Sequence, residues 1–166
     1  FMKVRAPDPA PGRMNAEAIA ALSTANPATT KQGAYLAGQP VPASFGTVPY
    51  WSTNAFIATN AAAKTQPLRW RFEPVAGRIG LSDDEAKTKG ADFLRAEFAE
   101  RVGKGPVAFN VIAQLALPAG PLTDPTEPWP ADRVEVNMGR IAIERITDQA
   151  CDRETFLPVV LPAGLA

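Results

Sequence analysis

The chain has 166 residues, no histidine, one cysteine, and 17 basic and 17 acidic residues, so its formal net charge is zero. Its length suits one domain, and 46% hydrophobic with 20% charged residues is an ordinary globular composition. Without net charge there is no field to attract phosphates or anionic lipid, which argues against nucleic acid and membrane surfaces as partners. No apolar run approaches the roughly 20 residues of a spanning helix, so no membrane span is predicted.

The absence of histidine removes most catalytic constellations. Neither a Ser-His-Asp triad nor a Cys-His pair is possible, and the commonest general base at neutral pH is missing. The single Cys151 has acidic neighbours instead of the positive charge that stabilises a thiolate, which favours an unreactive cysteine over a reactive one. Residue chemistry alone therefore identifies no active site.

The N-terminal segment predicts a loop, because prolines stand at positions 7, 9 and 11 and glycine at position 12. It has neither the basic nor the apolar region of a signal peptide, so no targeting signal is predicted and the compartment, cytoplasmic or periplasmic, stays open. The start at Phe1 and the apolar end at residues 161–166 suggest a piece of a longer polypeptide.

Two short helices are predicted next. Asn15 is placed to cap a helix that runs to about Ala25. Pro27 begins a second helix that ends near Gly38, a residue suited to the left-handed conformation of a helix end.

Residues 48–59 and 68–73 predict two antiparallel strands joined by a small-residue turn. Leu68, Trp70 and Phe72 alternate with charged residues, which is the clearest period of two in the chain. Arg69 and Arg71 flank Trp70, so either a nucleic-acid surface or a solvated outer face is possible, and the zero net charge favours the solvated face.

The carboxylates at residues 83–85 have two interpretations. Ser82 and Glu85 match a capping box, and acidic residues are common at a helix N-terminus, which favours a helix start over metal binding. A stronger helix is predicted after Gly90, ending at about Val102 with Gly103 as its stop.

Residues 107–117 and 134–146 predict two more strands, separated by a connection that has five prolines in residues 118–130. The apolar residues change phase at Gly139, which predicts a β-bulge. Four strands without strand-helix alternation indicate an α+β, β-dominated antiparallel class. Two edges then lack a partner, and we expect something outside this chain to close the sheet.

Seven collinear stretches resemble the haem catalase superfamily, specifically the catalase-related peroxidases. They are APDPAPGR (6–13), YWSTNAFIATNAAAK (50–64), RWRFEPV (69–75), LSDDEAKTKGADFL (81–94), GPVAFNVIAQLA (105–116), DPTEPWPADR (124–133) and FLPVVLPAG (156–164). None is a catalytic signature, but their shared order spans nearly the whole chain.

The resemblance implies a catalase-like antiparallel β-barrel around haem b, of which residues 1–166 would form about half, with four strands and short helices. The family's distal histidine and asparagine would lie before Phe1, and its axial tyrosine after Ala166. The parent enzyme would reduce or dismutate hydrogen peroxide with a small reductant. The chain alone would then hold no catalytic residue, bind no metal and no haem, and be inactive.

The resemblance also implies four cofactor-binding residues. Thr53 and Asn54 fall where the barrel wall approaches the haem, and Asn54 stands where larger catalases have histidine. From the residues alone, this pair is favoured as a satisfied sheet interior, with a pocket wall as the alternative. Pro125 and Trp129 would pass near the pocket edge in a loop that helps hold a nicotinamide nucleotide in larger catalases. Its histidine partner is missing here, so no nucleotide is predicted.

Neither tyrosine, Tyr35 nor Tyr50, matches the ligand motif of the family, so both are predicted to pack rather than ligate iron. Two functions of other classes stay open. One is a non-catalytic binding or structural module that closes its sheet by pairing with another chain. The other is a carrier of a small apolar ligand.

Overall fold

The computed structural model describes residues 15–117, 122–147, 155 and 160–165. Two compact units divide the chain, Phe1–Pro40 and Val41–Ala166. The predicted N-terminal loop and Cys151 lie outside the described residues. None of the described helices has the length and apolar character that a membrane crossing requires.

The first unit contains α1 (Ala16–Ala25), a 3-10 turn (Pro27–Thr30) and α2 (Lys31–Ala37). Asn15 caps α1 as predicted, since its side-chain oxygen accepts a 2.9 Å hydrogen bond from the amide of Ala18. Gly38 ends α2, but its φ of −89° is right-handed, so the predicted left-handed end is wrong. No residue of these three elements is buried.

The second unit is built on one antiparallel sheet. Its elements are a 3-10 turn (Phe45–Thr47), β1 (Tyr50–Trp51), β2 (Phe56–Thr59), β3 (Thr65–Pro74), α3 (Asp83–Lys87), α4 (Phe93–Lys104), β4 (Val107–Leu115) and β5 (Glu135–Ile143). The strand order is β1-β3-β4-β5, and β2 also pairs with β3. The mixed, antiparallel class is confirmed.

One expectation about the sheet is corrected, and another is confirmed. The predicted strand over residues 48–59 is two strands, because Ser52 to Ala55 leave the ladder between β1 and β2. The described sheet is open, as the two predicted edges without a partner require, with β5 at one edge and β1 and β2 at the other, so a closed barrel is not shown. A closed barrel needs hydrogen bonds between its first and last strands, and the described strands do not make them.

Local signals explain most of the element boundaries. The capping box of α3 is present, with the Ser82 hydroxyl accepting from the amide of Glu85 and the Glu85 carboxylate accepting from the amide of Ser82. The turn between β2 and β3 is held by Asn60, whose side-chain oxygen accepts from the amides of Ala62 and Lys64.

Two glycine predictions had different outcomes. Gly103 lies inside α4, which continues to Lys104, so the predicted stop is wrong by about one half-turn. Gly139 lies at the predicted bulge, where the register shifts as Val111 pairs with Gly139 and Ile112 with Asn137. Its φ of +141° explains the glycine, because side chains rarely adopt that conformation.

The core lies on one face of the sheet, beneath α4. Val102 of α4 packs with Val107 and Phe109 of β4, and partly buried apolar side chains surround them: Phe72, Phe98 and Ile143. Phe45 joins the same region through an edge-to-face contact with Phe98, at 6.0 Å between ring centroids. The opposite face carries the arginines of β3.

Candidate functional site

Thr53 and Asn54 lie in the break between β1 and β2, and both are exposed. The break is supported by Ser52, whose amide donates to the Trp70 carbonyl at 2.9 Å and whose hydroxyl accepts from the Trp70 amide at 2.8 Å. The Ser52 side-chain oxygen thus takes the place of a strand carbonyl. The chain can therefore leave the sheet while the Trp70 amide keeps a hydrogen-bond acceptor. The favoured interpretation of Thr53 and Asn54 as sheet interior is therefore wrong.

Arg69 corrects a second expectation. Its neighbours on β3 predicted a solvated outer face, but only 8% of Arg69 is exposed. Its guanidinium donates to two backbone carbonyls of the connection before β5, at 3.0 Å to Asp124 and 2.8 Å to Glu127. The arginine therefore fastens this connection to the polar face of the sheet.

Two guanidinium groups contact the ring of Trp129. The Cζ atom of Arg69 is 4.6 Å from the centroid of the Trp129 ring, and that of Arg133 is 4.5 Å from it. All three side chains are more than nine-tenths buried. We call these three residues the arginine–tryptophan cluster. Cation–π attraction of this kind strengthens where water is excluded.

The charges in this cluster repel one another. Burial lowers the pKa of Arg69 from its ordinary value, the positive charge of Arg133 lowers it further, and the charge of Asp124 acts in the opposite direction. Pro125 lies in the exposed turn of the same connection. The two residues expected at the pocket edge, Pro125 and Trp129, therefore have different surroundings.

A network of ion pairs crosses the polar face of the sheet. Arg71 on β3 binds both Glu73 on its own strand and Glu135 on β5, so it spans β4. Glu73 also accepts from Arg78 at 2.8 and 2.9 Å. The Arg78 hydrogen bond is the main reason that the pKa of Glu73 is lowered, and burial opposes it.

The two tyrosines differ in their surroundings. The Tyr50 hydroxyl donates to the Phe45 carbonyl at 2.8 Å, its ring meets Phe109 edge to face at 5.8 Å, and burial raises the pKa of Tyr50. Tyr50 packs as predicted, whereas Tyr35 on α2 is 52% exposed. Over the described ranges, no three His, Cys, Asp or Glu side chains group as a metal site.

The residues expected near haem differ in whether their side chains are accessible to it. Asn54 is exposed, so its amide is available for a contact. Trp129 is only 8% exposed and its ring contacts two arginines, so this ring does not fit stacking against a porphyrin. The described residues could thus form part of a pocket wall, but they offer no evident axial ligand.

Sequence reasoning missed Ser52, Arg133 and Glu135 as partners. Ser52 and Glu135 contact residues far from them in the chain, Trp70 and Arg71, whereas Arg133 contacts Trp129 nearby. The one signal for Arg133 was its place in the segment DPTEPWPADR, four residues after Trp129. That spacing gave no indication of burial.

Two curated relatives match the chain, whereas no protein-family model does. A catalase-related peroxidase of Synechococcus elongatus is 31% identical over 162 residues, which is 96% of this chain and 48% of the relative. A catalase-related peroxidase of Mycolicibacterium paratuberculosis is 33% identical over 103 residues, which is 62% of this chain and 33% of the relative. The chain thus spans about half of the first relative's length and a third of the second's.

Solved catalases have the same fold over the matched region. A fungal catalase superposes with a TM-score of 0.76 at 16% identity, covering 90% of this chain and 32% of that one. A bacterial catalase gives 0.73 at 19% identity, covering 87% and 30%. Catalase A from Saccharomyces cerevisiae gives 0.76 at 16% identity, covering 90% and 33%. The resemblance seen in the sequence is confirmed, and the chain is a homologue of the catalase-related peroxidases over part of their length.

Proposed function

We propose that this chain is part of a haem-dependent enzyme that decomposes hydrogen peroxide, by reduction with a small reductant or by dismutation. The observation that carries the proposal is the match of 96% of the chain to 48% of a catalase-related peroxidase. The catalase-like fold of the described sheet supports it. The part that this chain represents is a wall of the site, without its reacting groups.

Haem, when bound, would supply the iron at which the oxygen–oxygen bond of the peroxide is cleaved. The contribution of this chain is to hold and orient the haem. Thr53 and Asn54 form the polar, exposed part of the wall, and the two hydrogen bonds between Ser52 and Trp70 fix their position on the sheet. Pro125 lies exposed in the connection that Arg69 holds down, at the proposed pocket edge.

The isolated chain is expected to be inactive, because it contains no histidine to act as a general base and matches only 48% of its peroxidase relative. Titration with hemin, followed by the Soret band and by peroxide consumption, tests this. We expect no stoichiometric complex and no turnover above free hemin. A tight complex that consumes peroxide would contradict the inactivity of the chain.

A chimera tests the haem dependence itself. In it, this chain replaces the 162 matched residues of the Synechococcus relative, which then supplies both flanking parts. We expect the purified chimera to bind haem and consume peroxide, and Asn54→Leu to weaken both. The unaltered relative is the positive control. A folded chimera that binds no haem, beside a relative that does, would refute the proposal.

A second candidate is a non-catalytic module that closes its sheet with another chain, and the edge strand β5 favours it. The residues of β5 are exposed except Ile143, and among its apolar side chains Met138 is 58% and Ile141 45% exposed. Exposed apolar edges promote pairing with further strands. Sedimentation velocity would support this candidate if the chain associates and Ile141→Lys reduces the association. A monomer at all concentrations would exclude self-pairing.

A further inference from the structure

The arginine–tryptophan cluster carries more positive charge than the described structure neutralises. Arg69 and Arg133 are 8% and 6% exposed, and the guanidinium group of each lies over the Trp129 ring. In the described part of the chain, neither guanidinium makes an ion pair. Burying a cation without a paired anion costs several kcal/mol, so such an arrangement calls for a counter-charge.

The hydrogen-bond donors of the cluster show where that counter-charge is needed. Arg69 uses both terminal nitrogens on the carbonyls of Asp124 and Glu127, but its Nε has no partner. Arg133 lacks partners at Nε and at Nη1, although both nitrogens are buried. Buried guanidinium donors are normally satisfied, because an unmade charged hydrogen bond is expensive. Arg133 is therefore the less satisfied of the two.

We propose that the arginine–tryptophan cluster binds one small oxyanion, a carboxylate or a phosphate, with Arg133 as its main donor. Guanidinium groups match the planar or tetrahedral oxygens of these anions better than any other side chain. Asp132 and Val134, on either side of Arg133, are exposed, so the cluster lies close below the surface. The proposal does not depend on peroxide chemistry.

Thermal unfolding of the whole chain tests the proposal, with inorganic phosphate and acetate as the two probes at constant ionic strength. A ligand that binds only the folded state raises Tm in proportion to the logarithm of its concentration. At about ten times the dissociation constant, we expect a rise of about 3 to 6 °C. A response to acetate alone assigns the site to carboxylates, and a response to phosphate alone assigns it to phosphates.

Two variants separate the cluster from the rest of the surface. Arg133→Met keeps an apolar side chain of similar length and should abolish the rise, while its own Tm without anion stays level or increases. Arg140→Met removes an exposed arginine of β5 and should respond like the wild type. A rise that survives in Arg133→Met, or that sodium chloride reproduces, overturns the proposal. So does the absence of a response to both probes.

A direct measurement covers the case in which Arg133→Met fails to fold. In the wild-type chain labelled with ¹⁵N-arginine, the Nε–H resonances of Arg69 and Arg133 should shift on addition of the active probe. That of Arg140 should not. Shifts that spread equally over all arginines, or that leave the two cluster arginines unmoved, overturn the proposal.

Discussion

At the scale of single residues, Ser52 and Glu73 stabilise the sheet through side-chain contacts. The Ser52 hydroxyl takes the place of a strand carbonyl beside Trp70, at the point where β1 and β2 separate. The Glu73 carboxylate lies between Arg71 and Arg78 and links them on the polar face. Each role can be tested by one substitution, because each depends on one functional group.

Ser52→Ala should lower the free energy of unfolding by about 1 to 2 kcal/mol, because it leaves the Trp70 amide without its acceptor. Urea unfolding monitored by circular dichroism measures this loss. Ser52→Thr keeps a hydroxyl at the same position and should recover most of it. An alanine variant as stable as the wild type would show that water or a relaxed strand satisfies the amide.

Glu73→Gln should change how stability depends on pH. The arginine partners lower the pKa of Glu73 from its ordinary value of 4.5. The carboxylate therefore stabilises the fold above about pH 4.5, and this contribution is lost as the pH falls through the lowered pKa. We expect the glutamine variant to be less stable at about pH 7, and the difference to shrink towards about pH 3.

Urea midpoints over that range measure the effect, and Glu144→Gln serves as the control because Glu144 is exposed just beyond β5. The control should track the wild type at every pH. If Glu73→Gln differs from the wild type by the same amount at low and neutral pH, the carboxylate does not act through its charge.

At the scale of elements, two glycines differ in their surroundings: one is closely packed, and the other lies in a helix with open space around it. Gly46 lies where the 3-10 turn meets β4 and α4, and an added Cβ would be 2.7 Å from Val107 Cγ1 and 3.2 Å from Arg101 Cδ. Gly103 lies inside α4, where an added Cβ would have nothing within 4 Å. The first glycine is required by space, and the second is not.

Opposite signs are therefore expected for the same substitution. Gly46→Ala should destabilise the chain by about 1 to 3 kcal/mol through overpacking. Gly103→Ala should stabilise it by about 0.5 to 1 kcal/mol, because alanine loses less conformational freedom in a helix. Urea unfolding of both variants measures the difference. A loss of stability in Gly103→Ala would mean that α4 ends earlier than observed.

At the scale of the whole molecule, the two units differ in what they bury. The helices of Phe1–Pro40 contain no buried residue among those described, whereas the unit Val41–Ala166 contains the sheet and its core. Burial of apolar surface is the main favourable term in folding, so cooperative stability should belong to the second unit.

A chain that begins at Val41 should accordingly keep a cooperative thermal transition, with Tm within a few degrees of the whole chain. A chain that ends at Pro130 lacks β5 and Arg133, and it should lose that transition because β4 then pairs with β3 alone. Circular dichroism compares the three chains. An unfolded chain from Val41 onward would show that the first unit supports the sheet.

The sequence by itself determined the local features of this protein. The caps at Asn15 and Ser82, the alternation of β3 and β4, and the bulge at Gly139 each depend on interactions within a few residues or on a repeated pattern. The antiparallel class and the catalase resemblance could also be predicted, because the first follows from the order of strands and helices and the second from collinear sequence stretches.

The tertiary structure alone decided which residues meet. Arg69 appeared solvent-facing by its period of two, and it is buried because a distant connection folds over it and offers two carbonyls and Trp129. The break at Ser52 likewise depends on a contact with Trp70, which lies on β3. Such contacts cannot be predicted from the local sequence, since a strand shows the same alternation of apolar and charged residues whether water or protein covers its charged face.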